Sequence, residues 1–189
     1  MSAIRLIVGL GNPGPEYEHT RHNAGAWFAE QLVRIEQVSL QLEKKFHARI
    51  VKLPTHADST ILIPTMYMNQ SGRAVAAFAH FYKIAPQEML IAHDELDFDP
   101  GVARLKEGGG HGGHNGLRDI IRCLGSSDFV RLRIGIGHPG NKNDVVNYVL
   151  CKPSCSDRDA IHRSIEEAIS AVPDMLSGDL QGAFRKLHQ

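Results

Sequence analysis

Four stretches of this chain carry side chains able to do acid–base or amide chemistry, and each follows a run that reads as a β-strand. They are Asn12 to His22, Met66 to Asn69, His93 to Asp97, and Gly108 to Asn115. Together they offer Asn12, His22, Asn69, Asp94, His111, His114 and Asn115: bases, an acid and amides, with no evident nucleophile. A serine hydrolase needs G-x-S-x-G at a strand-to-helix elbow, and Asn69-Gln70-Ser71-Gly72 lacks the first glycine. Of the thiols, Cys123 lies late in a predicted helix, while Cys151 and Cys155 lie past the last strand. Three cysteines without a CxxC spacing point to reduced thiols, not to a disulfide framework or a structural zinc site. His93, Asp94, His111 and His114 have zinc-ligand chemistry. No HExxH pair supports them, however, and a glycine-rich loop is too soft to fix ligand geometry unaided, so no metal or other cofactor is expected. What remains is water activated by a general base. A histidine, with its unperturbed pKa near 6.5, accepts a proton at neutral pH. A carboxylate on its second nitrogen sets tautomer and orientation, and Asp94, at a strand end, is the natural partner. Asparagine amides can orient the water, hold a substrate carbonyl and donate to a developing oxyanion. The chemistry so described is hydrolysis without a covalent intermediate.

Positioning such groups falls to alternating strands and helices. Residues 4–10 are β-branched and apolar almost throughout, as in a strand buried on both faces. A Gly- and Pro-rich loop over 11–22 follows. Asn23 is then placed to cap a helix running to about Glu36, with Trp27, Phe28, Leu32 and Ile35 on one face. Residues 46–53 and 60–64 read as strands around a turn containing Asp58 and Ser59. Ser71 is placed to cap a helix over 72–83, and 89–96 is a buried strand ending in acids. Residues 101–106 alternate as a strand, Asn115 can cap a helix to about Leu124, and 129–137 is the last strand. A helix over 156–177, kinked at Pro173, and a short helix over 179–187 complete the chain. This order predicts an α/β fold: one domain over 1–189, a single-domain mixed, mostly parallel twisted sheet with helices on both faces, and a helical C-terminal tail from about 156. In open α/β sheets ligands bind beyond the carboxyl ends of the strands, which gathers the four chemical stretches at one edge.

Two glycine patterns need separate readings. Gly9-Leu10-Gly11-Asn12-Pro13-Gly14 matches GxGxxG after a strand, but a dinucleotide site needs a helix to start at the third glycine. Pro13 and Pro15 block one there, so a nicotinamide cofactor is not expected. The stretch EGGGHGGHNG, residues 107–116, costs conformational entropy on ordering, which suits a ligand-binding or gating loop. Net charge is zero, which argues against a chain coated in positive charge. Between 101 and 142, however, Arg104, Lys106, Arg118, Arg122, Arg131, Arg133 and Lys142 outnumber Glu107, Asp119 and Asp128, giving a local basic surface. Alternation at Arg131 and Arg133, taken alone, is most often the mark of a solvated strand face. No apolar run reaches the length of a membrane span, and the N-terminus reads as a first strand, not a signal peptide. A cytoplasmic protein without membrane attachment is expected.

Five motifs carry a family resemblance: VGLGNPGPEYEHTRHNAG (8–25), PTMYMNQSG (64–72), AHDELDFDPG (92–101), KEGGGHGGHNGLRDI (106–120) and RLRIGIGHPG (131–140). In this order they closely resemble those of the bacterial peptidyl-tRNA hydrolases, with similarity from about Ile4 to Leu150. The resemblance implies a monomer that hydrolyses N-blocked aminoacyl-tRNA without metal, engaging the CCA end and acceptor stem. It implies that His22 is the catalytic base and Asp94 its support. Asn12, Asn69 and Asn115 then line the peptide and ribose site, Met68 forms an apolar wall and Tyr17 shapes the entrance. His114 contacts nucleic acid, and Lys106 with Arg133 clamps the 5′ phosphate of the acceptor stem.

Overall fold

The computed structural model describes residues 2–188. Strand β1 (Leu6–Gly9) leads through a 3-10 turn (Arg21–Asn23) into helix α1 (Ala24–Ile35). A short strand β2 (Gln41–Glu43) and the hairpin β3 (Ala48–Leu53) and β4 (His56–Pro64) follow, then α2 (Ser71–Tyr82), β5 (Met89–Glu95) and β6 (Ala103–Glu107). The chain continues through α3 (Asn115–Leu124), β7 (Val130–Gly135), α4 (Val145–Val149), α5 (Cys155–Ser170), α6 (Val172–Ser177) and α7 (Leu180–Leu187).

One sheet runs in the order β2-β3-β4-β1-β5-β7-β6. Its central strands β4, β1, β5 and β7 are parallel, and β3 and β6 run antiparallel beside them. This is the expected α/β architecture. Leu6, Ile7 and Val8 of β1 are fully buried because helices cover both faces. Ile7 and Leu90 join Phe28 of α1 and Ile165 of α5 in one core. Leu6, Val8 and Ile91 join Phe78 of α2 and Ile120 of α3 in the other.

Helix α1 approaches the sheet most closely at two glycines. A Cβ on Gly25 would lie 2.1 Å from the Ala92 carbonyl oxygen, and one on Gly9 would lie 2.5 Å from Ala29 Cβ. Gly9 of the GxGxxG-like run, with Gly11, where a Cβ would lie 2.9 Å from Ala26 Cβ, thus serves helix packing. This contact sets the turn Arg21–Asn23 against the carboxyl end of β5. Gly72 gives α2 the same closeness to α3: a Cβ there would lie 2.2 Å from the Asp119 carbonyl oxygen.

Several local expectations are corrected. The β3–β4 turn falls at Pro54 and Thr55, and Asp58 and Ser59 lie within β4, where Ser59 Oγ donates to the Ile4 carbonyl at 2.9 Å. Asn23 holds the N-cap position of α1 but makes no capping hydrogen bond; its side chain accepts from Asn12 N at 2.8 Å and donates to Asn12 O at 3.0 Å. Ser71 and Asn115 are the first residues of their helices, not the caps. The expected single helix over 156–177 is broken at Ala171, with Pro173 in the first turn of α6, where its missing N–H costs nothing. Strand β2 and helix α4 are too short to show a period in the sequence.

Candidate active site

Asp94, the penultimate residue of β5, is where three elements converge. His22, from the turn ahead of α1, places Nδ1 3.0 Å from both carboxylate oxygens. His114, the residue ahead of α3, places Nε2 2.9 Å from Oδ1. The side chains of Asp94 and His114 are 3 % and 8 % exposed, and that of His22 is 11 % exposed.

The tautomers follow from the donors. His114 Nδ1 accepts from the backbone N–H groups of Gly116 and Leu117 at 3.1 and 3.3 Å, capping α3. Backbone N–H can only donate, so the His114 proton is on Nε2 and is given to Asp94. Asp94 therefore receives two N–H donors. Burial favours its neutral form, yet the attraction and hydrogen bonds of His22 and His114 hold it well below the usual carboxylate range. For His22, burial lowers the pKa, but the charge and hydrogen bond of Asp94 outweigh it and carry the group above 6.5. With Nδ1–H committed to Asp94, the lone pair of neutral His22 is on Nε2, which opens onto the cavity.

The donor atoms of His22, Asp94 and His114 lie within 4.8 Å of one another, close enough to suggest a cation site. The proton inventory opposes that reading. To ligate through Nε2, His114 would move its proton to Nδ1, which already faces two N–H donors. The cluster is a hydrogen-bonded relay.

A cavity of about 560 Å³ opens beside it. It is lined by every residue expected from the sequence except Tyr17, which stands behind Tyr67 with ring centroids 6.2 Å apart. Asn12 Oδ1 accepts from Met68 N at 2.7 Å. That contact fixes the amide orientation and leaves Nδ2 as the group available to a ligand. Asn115 repeats the pattern, its Oδ1 accepting from Arg118 at 3.1 Å. Met68 is buried and Asn69 exposed on the 3-10 turn Met68–Gln70. His114 also lines the cavity, but both of its ring nitrogens already have partners within the protein.

The basic side of the cavity is less uniform than the alternation suggested. Lys106 is exposed on β6. Arg133 is half-buried, bonded through Nε to Glu95 Oε1 at 2.6 Å, with its guanidinium carbon 4.4 Å from the centre of the Phe98 ring. Arg131 is not on a solvated face: it is 3 % exposed and donates to the carbonyls of Gly109 and Gly110. The glycine-rich loop is thus anchored over its first half.

Sequence reasoning missed part of the wall. Tyr67, 55 % exposed, and Val145, Val146, Val149 and Leu150 of α4 and its end give the cavity an aromatic lip and an apolar side. His93 by residue type alone suggests only metal-ligand chemistry. It is buried, with Nδ1 2.8 Å from the Asp94 carbonyl oxygen, and Nε2 has no partner among the described residues. Burial, with the nearby His114, pushes its pKa down to about 3, so it stays neutral.

Comparison with known proteins follows the same lines. A family model described as peptidyl-tRNA hydrolase matches residues 6–189. A peptidyl-tRNA hydrolase of Coxiella burnetii (strain RSA 331 / Henzerling II) is 58 % identical over 185 residues, covering 98 % of this chain and 97 % of that protein. One from Pseudomonas putida (strain F1) is 55 % identical over 190 residues, covering 100 % and 98 %. The crystal structure of peptidyl-tRNA hydrolase from Acinetobacter baumannii superimposes with a TM-score of 0.96 at 49 % identity, covering 99 % of this chain and 95 % of that one.

Proposed function

The chain belongs to the peptidyl-tRNA hydrolase family, and from that membership we propose that His22 is the general base of its reaction and Asp94 the group that holds it. The activity is hydrolysis of the ester bond of peptidyl-tRNA, which returns tRNA to translation after premature release. The observation that supports these roles is the bond from His22 Nδ1 to Asp94, which leaves Nε2 facing the cavity as the proton acceptor.

In this reading a water held at Nε2 gives up its proton as it attacks the ester carbonyl. The imidazolium so formed is stabilised by Asp94, and a positioned base of this kind contributes roughly 10²–10⁴-fold to the rate. The Nδ2 groups of Asn12 and Asn115, with Asn69, donate to the carbonyl oxygen as negative charge develops on it. The proton on Nε2 then passes to the departing ribose oxygen of the CCA end. The relay needs no metal, because His22 itself supplies the base. Met68 and the apolar side from α4 receive the peptide, with Tyr17 supporting Tyr67 at the entrance.

Lys106 and Arg133 are the phosphate contacts for the acceptor stem. Phosphate contacts give sequence-tolerant affinity, which suits an enzyme serving many tRNAs. His114 sits between the two functions, offering its ring edge to the nucleic acid and its proton to Asp94. The protein acts in the cytoplasm as a monomer, in one domain, without membrane attachment. None of its helices among the described residues is long and apolar enough to cross a membrane.

The test is hydrolysis of N-acetyl-aminoacyl-tRNA at neutral pH with a chelator present, wild type against His22→Ala. Release of free tRNA by wild type, lost in the variant and with unacetylated aminoacyl-tRNA spared, is the expected result. Intact tRNA binding without release by wild type would instead mark an RNA-binding module that has lost catalysis.

A further inference from the structure

We infer that Arg131 is a positioning residue for the ester hydrolysis, acting through the glycine-rich loop on His114 and so on the Asp94–His22 pair, and not a cation offered to phosphate. The inference rests on the reading of His22 as the base.

Arg131 stands on β7 opposite Lys106 of β6 and beside Ile91 of β5. A residue there could reach RNA if it were exposed. Instead its guanidinium lies beneath the loop, bonded through Nη1 to Gly110 O and through Nη2 to Gly109 O. Its carbon lies 4.8 Å from the centre of the Phe129 ring. Burial and the neighbouring charge of Arg133 both work against its cationic form. A residue kept for phosphate would gain nothing from that placement. A planar fork that satisfies two adjacent carbonyls accounts for it.

The bonds continue along the loop to His114. Gly108 N donates to Phe129 O at 3.0 Å, next to the two carbonyls held by Arg131. Gly113 N donates to His111 Nδ1 at 3.0 Å, and His114 N donates to His111 O at 2.9 Å. Residues 108–114 therefore form one braced arch ending at the imidazole that caps α3 and reaches Asp94. Gly108, Gly109, Gly112 and Gly113 all have positive φ, so the arch has little intrinsic preference for this shape. Arg131 is its fixed point on the sheet.

Loosening the arch has a signed electrostatic result. The N–H of His114 stabilises the Asp94 carboxylate and shares its Oδ1 with His22. When that N–H withdraws, more of the carboxylate's attraction falls on His22, and the His22 imidazolium becomes harder to deprotonate. The groups facing His22 in this cluster are Asp94 and His114, so the shift reports on the arch.

The experiment compares wild type with R131K, which keeps the charge but loses the fork. Expected are a kcat loss of up to about 10²-fold, in line with small misplacements of catalytic groups, with KM for N-acetyl-aminoacyl-tRNA nearly unchanged. The acidic limb of the pH–rate profile should move to higher pH, and R131K should cost little more in a His114→Ala background. Wild-type kcat in R131K, or a loss confined to KM and deepening with salt, would overturn the inference. If R131K fails to fold, hydrogen-bond couplings in wild type from the Arg131 Nη atoms to the Gly109 and Gly110 carbonyl carbons decide: present, they uphold the latch; absent with fast Nη exchange, they refute it. His22→Ala is assayed alongside. Failure of the base assignment appears there, and failure of this inference only at Arg131.

Discussion

Both carboxylate oxygens of Asp94 lie 3.0 Å from Nδ1 of His22, so the carboxylate straddles the imidazole N–H instead of meeting it with one oxygen. The arrangement leaves no ambiguity about which ring nitrogen carries the proton in the neutral state, and it links the basicity of His22 to a single buried charge.

Replacing that charge tests the link. Asp94→Asn removes the attraction that raises the His22 pKa and leaves burial, which lowers it. The base must be neutral to act, so wild-type activity rises with pH through a limb centred above 6.5. In Asp94→Asn the limb should move to lower pH, while kcat falls by roughly 10²–10⁴-fold because an amide no longer enforces the Nδ1–H tautomer. A pH–rate profile of both proteins measures each effect.

Asn12 offers a near-isosteric test of oxyanion donation. Asn12→Asp keeps the oxygen that accepts from Met68 N and exchanges the free Nδ2 donor for a second acceptor. We expect kcat to fall by about 10²–10³-fold, with the melting temperature nearly unchanged. An Asn12→Asp variant within a few-fold of wild type in single-turnover assays would remove Asn12 from that role.

His93 makes stability depend on pH in a stated direction. Its folded pKa is depressed to about 3, so below 6.5 the unfolded chain takes a proton that the folded chain refuses. Its contribution is present above pH 6.5 and is lost as pH falls from there towards 3, by at most about 1.4 kcal/mol per pH unit. Urea unfolding at pH 7, 6, 5 and 4 should show His93→Gln losing stability less steeply than wild type. Parallel slopes would contradict the assignment.

The phosphate contacts should differ from each other. Lys106→Ala is expected to weaken binding of different tRNAs alike and to reduce the slope of log K against log salt by about 0.7–0.9, with kcat preserved. Arg133 is already committed to Glu95, so Glu95→Gln should free its guanidinium and tighten tRNA binding at low salt. Fluorescence anisotropy from 50 to 200 mM salt, roughly the range over which such contacts respond, checks both.

The types and order of the site residues were legible because strand ends in an α/β chain deliver whatever follows them to one edge. The pairing of a histidine with Asp94 follows from that rule and from acid–base chemistry. His114 was harder. Helix caps are read from Ser, Thr, Asp and Asn, so Asn115 drew the assignment although the imidazole ahead of it takes the N–H groups. Arg131 was misleading for a related reason: its partners are backbone carbonyls of glycines, which leave no pattern in a sequence. The apolar side from α4 is a single turn, too short for periodicity, and an exposed valine such as Val146 carries no mark of what it faces.

Gly25 touches no substrate and donates no proton to the relay, yet its missing side chain lets α1 sit on the Ala92 carbonyl. The distance between the base and its carboxylate is therefore written partly in a residue with no chemistry of its own. In a saturation mutagenesis screen for growth, position 25 should be as intolerant as position 22, even to alanine. A reader ranking positions by tolerance alone would count it among the catalytic groups.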